Sequence, residues 1–365
     1  METTEQTAQP GPRPAIVWTV VLAAAFVVRF PTLGLQSPWL DEINNWLTAS
    51  EIGFRIQPRA HTLTYLSERI GLAISDSTWG LRLSSAVIGF LAVVAVTQFL
   101  LSRVGSRAAL IGGVLFALLP FSIHYSQDAN HYAPMMLSGI LSALAVAWFL
   151  DRPDPKPALA AAALAVSAVS IGFHPVGLLP FAGGCACLFI WLVVHADILP
   201  FKSIPALAKR VAMIAAALGA IAFVLMQEPV RRHLQLGNFA QVEGTRTPGL
   251  NWPFWSALLA DLLSTPFIHS PVDVLVGVLG AALALGGWCA SWRAGLRWAA
   301  VGVALVTFAT IVPFMVFELG HFFYPKFYAP AVPLLAIGIC MAMETALRAR
   351  IRSCLLYTSP SPRDS

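Results

Sequence analysis

Apolar residues run along this chain for about 20 positions at a time, and short polar connectors separate the runs. Such a run is the length that crosses the hydrocarbon core as a helix. The pattern predicts about ten spans, near 15–33, 80–101, 107–122, 133–150, 158–173, 176–195, 206–226, 272–291, 298–317 and 328–347. The expected fold is therefore all-α, a polytopic membrane helix bundle. The first run is not a cleaved signal peptide, because no small-residue cleavage site follows it and Phe30-Pro31-Thr32-Leu33 leads straight into a loop. Two connectors are long, about 34–79 and 227–271, and both carry Trp, Leu and Ile at helical spacing. In the first, Trp39, Ile43, Trp46 and Leu47 share one helical face, and Asp41, Asn45 and Thr48 share another. A second short helix carries Leu63, Leu66, Ile70 and Ile74 on one side. Both are expected to be amphipathic helices lying at the membrane interface.

Composition sharpens this picture. Hydrophobic residues are 57% and charged residues 11% of the 365 positions. That excludes an ordinary soluble domain, which carries about 25% charge, and also a disordered chain. The net charge of +5 does not imply nucleic acid, because the basic residues form no stripe. They alternate instead. Connectors with Arg103, Arg107, Lys156, Lys209, Arg210, Arg293 and Arg297 fall on one side; those with Asp41, Glu42, Glu68, Asp128, Glu228 and Glu318 fall on the other. The positive-inside rule then puts both ends in the cytoplasm and the long loops outside the cytoplasmic membrane. Four of the five cysteines (Cys185, Cys187, Cys289, Cys340) sit inside apolar runs, so they read as small core residues. Residues 1–352 are expected to be one domain. Residues 353–365 resemble translated adapter read-through, so the natural protein is expected to continue past about 352.

Candidate chemistry collects on the outer side. His124-Tyr125-Ser126-Gln127-Asp128-Ala129-Asn130-His131-Tyr132 joins two spans with imidazoles, phenols and a carboxylate that can bind a cation, a phosphate or a sugar. A solvated turn capping two helices is the plainer reading. His174-Pro175 marks a tight outer connection, and His321-Phe322-Phe323-Tyr324-Pro325-Lys326 precedes the last span. Seven of the eight histidines lie outside, all but His195. A haem or metal centre is one reading of them, but no H-x-x-x-H spacing supports it and no ligand is fixed. Lys326 beside two tyrosines can donate to a phosphate oxygen, or can snorkel from a helix end.

The order Leu40-Asp41-Glu42, an aliphatic Leu63–Leu66 helix, Tyr125-Ser126-Gln127-Asp128-Ala129-x-x-Tyr132-Ala133 and Tyr324-Pro325-Lys326-Phe327-Tyr328-x-Pro330 resembles one family. It is the membrane glycosyltransferases of the GT-C class, of the protein-mannosyltransferase-like type (glycosyltransferase family 39, Rgt-like). The resemblance covers about residues 15–347. The chain departs from it at His61-Thr62, where the family commonly has Pro-Pro, and near Asn130 and His131, where it often has Arg. The resemblance implies a GT-C fold, a polyprenyl-phosphate sugar donor and inverting transfer to a glycan, lipid or protein acceptor. It makes Asp41 the general base on the acceptor hydroxyl and Asp128 the second acid of the cavity. Lys326 falls near the lipid phosphate. Glu42, Asn45, Tyr125, Gln127, His131, Tyr132, His174 and His321 are the remaining candidates for holding substrate. The sequence settles no cofactor, and a divalent metal could replace a basic side chain at the phosphate.

Two other functions fit a polytopic chain, a transporter or flippase of a lipid-linked substrate and a non-catalytic assembly protein. Mid-span charges are nearly absent and polar groups gather on one face, which favours surface chemistry over passage.

Overall fold

The computed structural model describes residues 11–52, 61–150, 157–194, 252–264, 270–293, 296–316 and 325–358. Every regular element among them is helical. The order is α1 (Pro14–Arg29), α2 (Leu40–Ile52), α3 (Thr62–Ile74), α4 (Thr78–Arg103), α5 (Ser106–Leu118), α6 (Pro120–Gln127), α7 (Tyr132–Leu150) and α8 (Pro157–Phe173). A 3-10 turn (Pro175–Gly177), α9 (Leu178–Val194), α10 (Trp252–Leu263), α11 (Pro271–Arg293) and α12 (Arg297–Val316) follow. A second 3-10 stretch (Pro325–Ala331) leads into α13 (Val332–Thr358). The predicted span at 206–226, most of the 227–271 loop, His321 and residues 359–365 lie outside the described residues.

Local signals start these helices. Proline opens α1, α6, α8 and α11, where its missing N–H costs nothing. Ser77 caps α4 by accepting from the Gly80 N–H at 3.3 Å. Ser270 and Asp273 cap α11 reciprocally: the Ser270 N–H donates to Asp273 Oδ2 at 2.9 Å, and the Asp273 N–H donates to Ser270 Oγ at 3.3 Å. Gly105 turns the chain between α4 and α5 with φ of 134°, a conformation that a side chain strains.

Among the described residues, four helices are long and apolar enough to cross a membrane, or five if the bent pair α5–α6 counts as one span; α1 and the apolar parts of α8, α9 and α12 are shorter. The run expected over 107–122 is not one straight helix. It breaks at Leu119 and bends by 55° into α6, so Tyr125, Ser126 and Gln127 stand on a helix and not in a loop. Arg29, fully buried, holds the break. It donates to the Ala117 carbonyl at 2.8 Å, which the end of α5 leaves without a helical partner, and to Ser122 and Ser126 on α6.

α7 is the buried centre. Its Met135, Met136, Ile140 and Leu144 join Val21 of α1, Val93, Val96 and Phe99 of α4, Val303 and Val306 of α12, and Leu334 and Ile337 of α13 in one core. α11 lies outermost and exposes Val272, Leu275, Val276 and Leu279. Small residues let helices touch: a Cβ at Gly139 would strike the Pro330 carbonyl, and one at Gly287 the Gly338 carbonyl. α7 and α8 are also joined by hydroxyls, Ser167 meeting Ser138 at 2.9 Å and Ser142 at 2.7 Å.

α2 and α3 are helical, as their spacing predicts, and much of each apolar stripe points outward. Leu40, Ile43 and Leu47 of α2 and Ile70 and Ile74 of α3 are exposed, whereas Glu42, Thr64 and Glu68 are buried.

Candidate functional site

The polar groups buried by α2 and α3 meet the α6–α7 loop at one end of the bundle. Glu42 is the junction. It occupies the third position of α2, and its Oε2 accepts from the Trp39 N–H at 3.2 Å, closing the helix start. Arg82 of α4 grips both its oxygens, at 2.7 and 2.6 Å, in a pair almost without solvent contact. The remaining guanidinium hydrogens go to the carbonyls of Leu33, Gln36 and Ser37, so all five donors of Arg82 are used. Glu42 Oε1 also accepts from the Ala129 N–H at 2.9 Å. One ion pair thus fixes the start of α2, the loop before it and the α6–α7 loop.

That loop is held from several further sides. Trp39 Nε1 donates to Asp128 Oδ1 at 3.0 Å. Asn45 Nδ2 donates to the Ala129 carbonyl at 2.9 Å, and Ser85 Oγ to the Asn130 carbonyl at 3.2 Å. Asn130 Oδ1 accepts from the His131 N–H at 2.9 Å. Gln127 reaches the other way, and its amide caps the end of α1 at the Val28 and Arg29 carbonyls. The segment from 125 to 132 is buried apart from half-buried Gln127, with exposed His124 before it. It is not a solvated turn.

Asp41 stands in the first turn of α2, half-buried, one residue from Glu42. Asp128 and Asp41 both lie within electrostatic range of the buried Tyr132. Tyr125 packs edge-on to Tyr132, with centroids 4.9 Å apart, and Tyr132 packs against His131 at 4.4 Å. Asp41, Glu42, Asn45, Tyr125, Gln127, Asp128, His131, Tyr132 and His174 therefore gather at one end. Lys326 lies in the second 3-10 stretch, which packs on α7.

Two acidic and basic groups here were absent from the sequence reading of the site. Arg82 stands near the start of the predicted 80–101 span, where the sequence alone gives it no partner. Glu68 sits on α3 facing inward, 1% exposed. Asn45 donates to its Oε1 at 3.2 Å, and its Oε2 has no hydrogen-bond partner among the described residues. Burial, then the charges of Asp128 and Glu42, push the Glu68 carboxyl well above the usual range, and the Asn45 bond opposes them.

The metal centre that the outer histidines allow has a place here, in a cluster of imidazoles. His61 just before α3, His131 in the α6–α7 loop and His174 between α8 and α9 bring their ligand atoms within 4.8 Å of one another. The three are a plausible centre for a divalent metal. The rings stack, with His131 and His174 4.0 Å apart and His61 4.9 to 5.3 Å from each. His61 Nδ1 lies 3.1 Å from the Phe173 carbonyl, and Thr64 Oγ1 donates to the same carbonyl at 3.1 Å. Burial holds His61 below the ordinary imidazole range, and the Phe173 contact opposes it. No two of these histidines share an element, so no spacing motif could reveal them.

No protein-family model matches the chain, and no curated protein matches it in sequence. Among solved structures it is similar to ArnT from Cupriavidus metallidurans, both in the apo state (TM-score 0.61) and bound to undecaprenyl phosphate (TM-score 0.62), each at 17% identity. The likeness covers 96% and 95% of this chain and 67% and 65% of the ArnT chains. It is also similar to the archaeal oligosaccharyltransferase AglB from Archaeoglobus fulgidus, in complex with an inhibitory peptide and a dolichol-phosphate. There the TM-score is 0.50 at 13% identity, over 95% of this chain and 52% of that one. The chain thus spans about two thirds of ArnT and half of AglB. The all-helical GT-C-type fold implied by the motifs is the fold observed.

Proposed function

We propose that this chain is a GT-C-type glycosyltransferase of the protein-mannosyltransferase-like kind. It moves a sugar from a polyprenyl-phosphate donor to a glycan, lipid or protein acceptor at the outer face of the cytoplasmic membrane, with both ends cytoplasmic. The observation that carries this reading is the grip of α2 on the Asp128 loop. It gathers two carboxylates, Asp41 and Asp128, at one end of a bundle whose fold is shared with an ArnT that binds undecaprenyl phosphate.

In this reading Asp41 takes the proton of the acceptor hydroxyl as its oxygen attacks the anomeric carbon. The bond from that carbon to the phosphate oxygen breaks on the opposite face, so configuration inverts and the polyprenyl phosphate leaves with the electron pair. Asp41, half-buried in the first turn of α2, is near enough to solvent to meet a hydroxyl. Asp128, oriented by Trp39, is the second acid of the cavity. Lys326 neutralises the leaving phosphate. Tyr125 and Tyr132 back the acids, and Gln127 holds their loop to the end of α1.

The test follows label from polyprenyl-monophosphate sugars in membranes holding the chain. Asp41→Asn at equal expression is expected to lower turnover by about 10²–10⁴-fold, the share of a positioned base. Equal turnover in both would remove Asp41 from the mechanism. No turnover from any labelled donor by the wild type would remove the transferase reading.

A further inference from the structure

We infer that His61, His131 and His174 form a binding site for one divalent cation of the zinc class, held by three imidazole nitrogens with a further coordination position open. Donor chemistry selects the metal. All three ligands are nitrogen, which suits zinc, cobalt, nickel or copper, whereas magnesium and calcium are bound through oxygen. Three histidines with an open fourth position are also a known zinc arrangement.

The placement of the rings supports this. The Phe173 carbonyl accepts from His61 Nδ1 at 3.1 Å, so Nε2 is the ring nitrogen that would carry the metal bond. Phe173 directly precedes His174, and Thr64 binds the same carbonyl, so one backbone group registers two of the ligands. His131 is held by the bonds on Ala129 and Asn130. Charge supports it too. Asp128 lies three residues before His131. Arg82 is committed to Glu42, so its charge is already matched and does not oppose a cation beside Asp128.

Coordination asks for movement. Zinc–nitrogen bonds are about 2.0–2.1 Å, so donors now up to 4.8 Å apart must close and the rings must pivot out of their stack. His174 Nδ1 accepts the Val176 N–H at 3.1 Å, a contact with which a metal at that nitrogen would compete.

The full chain, purified in detergent and stripped with chelator, is titrated with Co²⁺ and its visible absorption is followed. One tightly bound ion per chain is expected, displaced by Zn²⁺ and not by Mg²⁺. His61→Gln and His131→Gln are each expected to weaken binding by more than the roughly 10–100-fold that changing a ligand's supporting group costs. His124→Gln, exposed and outside the cluster, retains it. X-ray absorption on the zinc-loaded wild type needs no variant and is expected to show three imidazole neighbours. A wild type that binds no cobalt, an absorption shell without imidazole, or binding that survives in both variants overturns the site. Cobalt and zinc binding are read without any sugar transfer, so this outcome is independent of the transferase reading.

Discussion

Burying Glu68 beside Asp128 and Glu42 gives the fold a pH signature. The folded carboxyl holds its proton more tightly than the unfolded one, whose ordinary value is 4.5. Between those two values the native state binds more protons, so stability falls as pH rises. Below 4.5 the group contributes no such loss. Glu68→Gln keeps the Asn45 bond and removes the titration. The variant is expected to match the wild type in melting temperature near pH 4 and to exceed it increasingly above about pH 5. A gap that does not widen with pH would mean that Glu68 is ionised in the fold. Nothing in the sequence pointed to this residue. Its neighbours Leu63, Leu66, Ile70 and Ile74 set the apolar face of the helix, and Glu68 lies off that stripe.

At the scale of elements, two predictions test how the pieces are held. Arg82 and Glu42 are buried together, so removing one strands the other. Arg82→Ala is expected to cost about 3–5 kcal/mol, and the double change Arg82→Met with Glu42→Leu to restore much of it. Thermal unfolding in detergent measures both. Gly139→Ala is expected to unseat the second 3-10 stretch, because the added Cβ strikes the Pro330 carbonyl. Gly286→Ala, with nothing within 4 Å of its Cβ, is expected to be neutral or to stabilise by up to about 1 kcal/mol. Helix positions were readable from the chain because apolar runs are long: α4, α7, α11 and α12 fall within a few residues of their predicted bounds. The α5–α6 break was not, because Leu118 and Leu119 carry the apolar pattern up to Pro120. The two faces of α2 and α3 were readable from their spacing, but not that Glu42 and Glu68 are the buried groups while Leu40, Ile43, Leu47, Ile70 and Ile74 are exposed.

At the scale of the molecule, charge alternation makes a claim about sidedness. In a background with the native cysteines replaced, Ser37→Cys and Ala349→Cys place exposed thiols before α2 and near the end of the described chain. On intact cells an impermeant maleimide is expected to label the first, and to label the second only after permeabilisation. Labelling of both from the outside would undo the alternation of connectors. The site itself was half legible. Asp41, Glu42 and the Tyr125–Tyr132 segment stand out because charged residues are only 11% of this chain and tyrosines number six. Arg82, Glu68 and the convergence of His61 with His131 and His174 depend on contacts between distant segments, which no local pattern encodes.

Those distant contacts also fix an order of events on the ribosome. Glu42 is made first. Arg82 follows 40 residues later and Ala129 87 residues later. At about 5–20 residues per second, the nascent chain waits roughly 2–8 s for the guanidinium and about 4–17 s for the loop. Arg82 therefore reaches the carboxylate before the rest of its cradle exists. The clasp can neutralise Glu42 while α5 and α6 are still being inserted, and the Asp128 loop closes last on a partner already in place.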